Sequence, residues 1–123
     1  MPLAAFRAVV LDCPDPHALA EFYAKIVGGT PVPDPADEEA WVGIEGHGGP
    51  PIAFQKAPGH RPPQWPAPDG GQQFHLDFTV DDMDAVEKEI LTFGATVLDA
   101  ADRDRSWRVY ADPAGHPFCL CAS

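Results

Sequence analysis

Apolar and polar positions follow the same course twice along this chain. Residues 6–13 are mostly apolar or β-branched, which predicts a strand, and Asp15-Pro16 then supplies a helix N-cap with proline at the first helical position. Leu19, Phe22, Tyr23, Ile26 and Val27 recur at helical spacing, and Gly28-Gly29 stops the run. Three short strands are predicted next, at 30–33, 40–45 and 51–56, separated by the turn-forming runs DPADEE and GHGGP. The second half repeats this order. It predicts a strand at 73–80, a helix at 82–93 with Met83, Val86 and Ile90 inward and Gly94 as its stop, and strands near Thr96, Arg108 and Phe118. Each half is therefore a βαβββ unit.

The two halves align position by position, Asp15 with Asp82 and Gly28 with Gly94 to within one residue. His75 stands seven residues before Asp82, and Ala8 stands seven before Asp15. With 123 residues the chain is expected to be a single domain, with module one at 3–56, a connector at 57–72 and module two at 73–123. The connector, APGHRPPQWPAPDGGQ, is too rich in proline and glycine for a helix or a central strand. It reads either as a lid over a site or as a plain linker.

Period-two alternation assigns the strand faces. In the fifth strand Phe74, Leu76, Phe78 and Val80 point toward the helices, and Gln73, His75, Asp77 and Thr79 point away. By the same parity Phe118 and Leu120 face the helices and Cys119 faces away; Phe54 packs down while Ala53 and Gln55 face up, joined by Trp41. Eight twisted strands in two such units curve the polar side into a trough, a candidate binding site.

Composition narrows the partners. The formal charge of −11, from 8 Lys and Arg against 19 Asp and Glu, argues against nucleic acid and anionic membranes. Neither a signal peptide nor a run of about 18 apolar residues is present, so a cytoplasmic location is expected. Cys13, Cys119 and Cys121 lack a framework spacing and read as reduced thiols.

The stretches DPHALAEFYAKIVGG, RPPQWP, QQFHLDFTVDDMDAVEKEILTFGA and YADPAGHPFCLC, in this order and on a repeat, resemble the vicinal-oxygen-chelate superfamily. Its members include glyoxalase I, bleomycin-resistance proteins and ring-cleaving dioxygenases, and the likeness is strongest to the glyoxalase-like proteins. The resemblance implies an α+β fold of paired βαβββ modules forming a curved mixed sheet with a concave cavity, and a homodimer. It also implies a metal held at four strand positions, by His or Gln, Glu, His and Glu. Here those positions fall on Ala8, on Ala53 or Gln55, on His75 and on Cys119. One imidazole, one thiol and at most one amide fall short of the three good ligands of a catalytic metal centre, so no metal and no cofactor are expected.

The expected ligand-binding residues are thus Gln55, His75, Asp77, Cys119, Trp41 and Trp65, with His75 the candidate catalytic group because an imidazole can both give and take a proton. Cys119 beside His75 is either an activated thiol or a small buried space-filler, the second being commoner for free cysteine. Asp77 is expected to orient His75 poorly, since neighbours two apart on one strand face lie about 7 Å apart at the backbone. Gln55 suits hydrogen bonding to a neutral ligand, and Trp41, Trp65 and Trp107 suit stacking on a planar one. His116 reads as a turn or rim residue, and His17, His47 and His60 as solvent-facing. The expected function is small-molecule binding by a glyoxalase-like protein without the superfamily's catalytic metal. The alternatives are a metal-dependent or His-assisted lyase, isomerase or dioxygenase, or an antibiotic-sequestering resistance protein, and the sequence leaves open whether the chain is an enzyme.

Overall fold

A computed structural model describes residues 2–65 and 74–123. The chain divides into two compact units, residues 1–60 and 61–123. In the first, β1 (Val9–Cys13) leads through α1 (Pro16–Val27) to β2 (Thr30–Pro33), β3 (Trp41–Glu45) and β4 (Ile52–Lys56). In the second, β5 (Leu76–Val80), α2 (Met83–Thr92), β6 (Thr96–Asp99), β7 (Trp107–Ala111) and β8 (Pro117–Ala122) follow the same course. Each unit carries one four-stranded mixed sheet, ordered β1-β4-β3-β2 and β5-β8-β7-β6, with the first and last strands of the unit paired in parallel.

Both helices begin as their sequences require. Asp15 accepts a hydrogen bond from the Ala18 N–H at 3.2 Å and Asp82 from the Ala85 N–H at 3.0 Å, satisfying amides that have no partner inside the helix. Gly28, at φ +84°, ends α1 in a left-handed conformation that costs a side-chain-bearing residue about 1 kcal/mol or more. In the first unit the core lies between α1 and the sheet, where Leu19, Phe22 and Tyr23 meet Leu11, Val42 and Phe54 and the Tyr23 and Phe54 rings stack at 5.6 Å. In the second, Phe118 and Leu120 are fully buried, Phe78 packs edge-on against Phe118 at 5.9 Å, and Ile90 is the one buried residue of α2.

Strand β1 starts at Val9 rather than residue 6, leaving Phe6 72% exposed. Strand β5 starts at Leu76, so the alternation does not extend to Phe74, which is 62% exposed instead of facing the helix. An apolar residue beyond the last ladder pair has no sheet to hold its orientation. Gln73 and the rest of the connector from residue 66 lie outside the described residues.

Candidate functional site

The polar row of the second unit is built by strand register. Asp77 pairs with Cys119 and Thr79 with Cys121 in the parallel β5–β8 ladder, so all four side chains share the face away from α2. Leu76 pairs with Phe118 and Phe78 with Leu120 on the opposite, helix-covered face. His75 lies just before β5 begins and joins this row through its side-chain contact with Asp77. The ligating atoms of His75, Asp77 and Cys119 all lie within 4.8 Å of one another.

His75 and Asp77 are in direct contact, with Nε2 3.1 Å from Oδ1. That corrects the expectation of a poor orienting geometry. Backbone spacing separates the two residues, but each side chain is long enough to lean along the strand and close the gap. Cys119 is 5% exposed, and burial first, then the Asp77 charge and a hydrogen bond to that carboxylate, push its thiol up to about 12. Cys121 is pushed up by the same two influences. Cys119 is therefore a protonated donor to Asp77 at neutral pH, and the carboxylate stands where activation would require a cation.

Trp65, in the described part of the connector, lies edge-on to the His75 ring at 6.1 Å. The connector also packs on the turn between β7 and β8, where a Cβ on Gly115, itself at φ +90°, would overlap the Pro62 ring. Trp107 shares the face by its pairing with Cys121, but its ring is covered by the Arg105 guanidinium at 3.6 Å, which in turn binds Asp99. Arg105 is a residue the alternation could not reveal, because it lies in the loop before β7.

In the first unit Gln55 pairs with Trp41 and with Asp12, placing these three on the helix-free face, with Gln55 exposed and Trp41 half-buried. Register also fixes a point that spacing left open. Val10 pairs with Ala53 as Asp77 pairs with Cys119, so Ala53, not Gln55, is the repeat equivalent of Cys119. Two of the four positions at which the superfamily holds its metal thus carry the methyl groups of Ala8 and Ala53. The four-donor centre does not fit this chain.

A second cluster was not foreseen. Arg108, 3% exposed on the helix-covered face of β7, donates to Asp84 at 2.8 Å, and Glu87 accepts from Tyr110 Oη at 2.6 Å and from Arg103 at 2.7 Å. These contacts tie α2 to β7. The Arg103 hydrogen bond, followed by that from Tyr110, holds the Glu87 carboxyl at about 2 despite its burial. The acidic residues at i and i+3 of α2, facing a lone cation in β7, were the available signal. A cavity of about 460 Å³ opens beside this network between α2 and β6, but Glu87 and Arg103 on its rim are bound to each other rather than turned to a ligand. Elsewhere, His17 and His47 are half-buried and locally bonded rather than solvent-facing, His17 Nε2 to the Glu38 carbonyl at 2.7 Å and His47 Nδ1 to the Gly49 N–H at 3.3 Å.

None of the curated proteins matches this sequence. Among solved structures, a glyoxalase/bleomycin resistance protein/dioxygenase family enzyme from Burkholderia phytofirmans PsJN is similar at TM-score 0.71 and 21% identity, over 97% of this chain and 98% of that one. The fosfomycin resistance protein FosX from Mesorhizobium loti gives 0.68 and 13%, over 100% and 94%, and the oxidase ChaP-H2 gives 0.64 and 20%, over 99% and 95%. At such identities the likeness is one of fold, and it fits the two βαβββ units described above. The sequence profile of the glyoxalase-like domain matches residues 8–121, nearly the whole chain, and the protein belongs to that family.

Proposed function

We propose that this protein binds a small molecule on the helix-free sheet face around His75, Asp77, Cys119 and Trp65, without the superfamily's four-donor metal centre. The observation that carries this reading is the row of polar side chains on the face opposite the buried Phe118 and Leu120, together with Ala8 and Ala53 at two metal positions. His75 is half-open to solvent, Cys119 is buried and protonated, and Asp77 accepts from both. Such a row offers a ligand hydrogen bonds of both polarities. Within the first unit, the helix-free face of its own sheet presents an amide and an indole, from Gln55 and Trp41.

Two features frame the binding. Each sheet leaves two strands at its edges, β1 and β2 in the first and β5 and β6 in the second, and a homodimer is the economical way to cover such edges. Three unbridged cysteines suit the reducing cytoplasm. No described helix is long and apolar enough to cross a membrane.

The test is ligand capture by chelator-treated protein. A metabolite or antibiotic panel screened by thermal shift should yield a stabilising ligand whose effect is lost in His75→Ala, while zinc, nickel or manganese should produce no methylglyoxal–glutathione isomerase activity. Isomerase turnover on metal addition contradicts the reading. A second reading, His-assisted catalysis, is favoured by the 3.1 Å His75–Asp77 contact, which fixes the imidazole as a general base requires. It predicts turnover of the captured ligand that falls with Asp77→Asn while binding persists.

A further inference from the structure

We infer that His75, Asp77 and Cys119 form a three-donor site for a thiophilic divalent cation, built within the second unit alone: it keeps two of the superfamily's four metal positions, His75 and Cys119, and takes its third donor from Asp77, which lies outside those four. It goes beyond the small-molecule reading and does not depend on which organic ligand the face takes.

A parallel pair sets Asp77 directly opposite Cys119, and His75, just before β5 begins, meets them through its side chain, so three different ligand types lie together. The repeat supplies an internal comparison. The equivalent positions of the first unit carry Ala8, Val10 and Ala53, none of which can ligate, so the donor set is what distinguishes two otherwise matching sheets. Asp77 has no place among the superfamily's four positions, and counting only those positions leaves the set one ligand short.

Chemistry then selects the ion. Donors at about 2.0 to 2.3 Å from a tetrahedral zinc stand about 3.3 to 3.7 Å from each other, so a set already within 4.8 Å needs side-chain rotation only. The His75–Asp77 separation of 3.1 Å is already near that value. One nitrogen, one oxygen and one sulfur make a borderline-soft set suited to zinc or cobalt(II) and unsuited to magnesium or calcium, which take oxygen shells. Binding requires Cys119 to exchange its proton for the metal, so one proton leaves per ion bound, and the carboxylate that accepts from the thiol moves to the cation. The thiol end is buried and the Asp77 side chain is 61% exposed, so the fourth coordination position opens on the solvent side. Three protein ligands with one open position is the arrangement of catalytic rather than structural zinc.

The experiment is a cobalt(II) titration of the full-length, chelator-treated protein, followed by its visible bands and its near-ultraviolet sulfur-to-cobalt charge transfer. Saturation at one ion per chain with a charge-transfer band, reversed by zinc, is the expected result. Cys119→Ser should abolish that band, and Asp77→Asn and His75→Ala should each weaken binding at least about tenfold, whereas Cys121→Ser and Cys13→Ser should leave it unchanged. Asp77 is exposed, so Asp77→Asn tests the site even if Cys119→Ser fails to fold. Absence of the band, or its survival in Cys119→Ser, overturns the proposal. Because organic ligand capture is measured on chelated protein, such a failure leaves the small-molecule reading to stand or fall separately.

Discussion

Asp77 stands directly opposite Cys119 in the parallel β5–β8 pair, and its carboxylate accepts from that thiol while lying 3.1 Å from His75 Nε2. A carboxylate between a thiol and an imidazole reverses the order of a nucleophilic triad, in which the imidazole touches the thiol and the carboxylate touches the imidazole. This face is therefore arranged to hold a proton on sulfur.

The first prediction follows from that order. In metal-free protein near neutral pH, Cys119 should alkylate at least about a hundredfold more slowly than a free peptide thiol, because little thiolate exists to react. Asp77→Asn removes the negative charge and the acceptor, lowers the thiol pKa and should accelerate the reaction. Peptide-resolved mass spectrometry after iodoacetamide treatment checks both, and rapid alkylation of Cys119 in the parent protein would show the thiol to be activated after all.

A second prediction concerns acid. Glu87 holds its proton far less tightly in the folded state, at about 2 against 4.5 for an unperturbed carboxyl. A depressed folded pKa stabilises the protein above the unfolded value, and that stability is lost as pH falls through the folded one. The contribution of Glu87 is thus complete above about pH 4.5 and disappears toward pH 2. Glu87→Gln should melt lower than the parent at neutral pH, with the difference shrinking as the pH is taken down through this window. A difference that stays constant with pH would remove the Arg103–Glu87–Tyr110 network from the stability of α2.

The element order was legible in the sequence because the signals were local and repeated. Asp15 and Asp82 cap their helices as their spacing indicated, and Leu76, Phe78 and Val80 alternate without interruption, which fixes the face of every residue between them. What the sequence withheld depended on side-chain reach. The His75–Asp77 contact spans a gap that backbone spacing leaves open, and Arg105 reaches Trp107 and Asp99 from a loop with no periodicity to orient it. Burial of Arg108 was equally hidden, since a cation in a strand reads as solvent-facing until Asp84 and Glu87 are seen to lie over it. The choice between Ala53 and Gln55 needed the β1–β4 ladder itself.

Assembly gives a third prediction. Edge strand β6 leaves Val97 50% and Leu98 38% exposed beside an unpaired backbone, an arrangement that soluble proteins usually cover. Light scattering at micromolar concentration should report twice the mass of the chain. A monomer at that concentration would contradict the homodimer.

The central claim is that one face of the β5–β8 pair is core and the other is a site, and thermal unfolding of two variants tests it most directly. Phe118 is fully buried, and Phe118→Ala should cost about 3 to 5 kcal/mol, whereas Phe78, half-buried beside it, should cost less. His75→Ala, on the opposite face and partly exposed, should cost less than about 1 kcal/mol, the usual limit for an exposed pair such as His75–Asp77. The expected result is a large drop in Tm for Phe118→Ala and almost none for His75→Ala. A drop of equal size in both would make His75 a structural core residue and contradict the functional reading of this face.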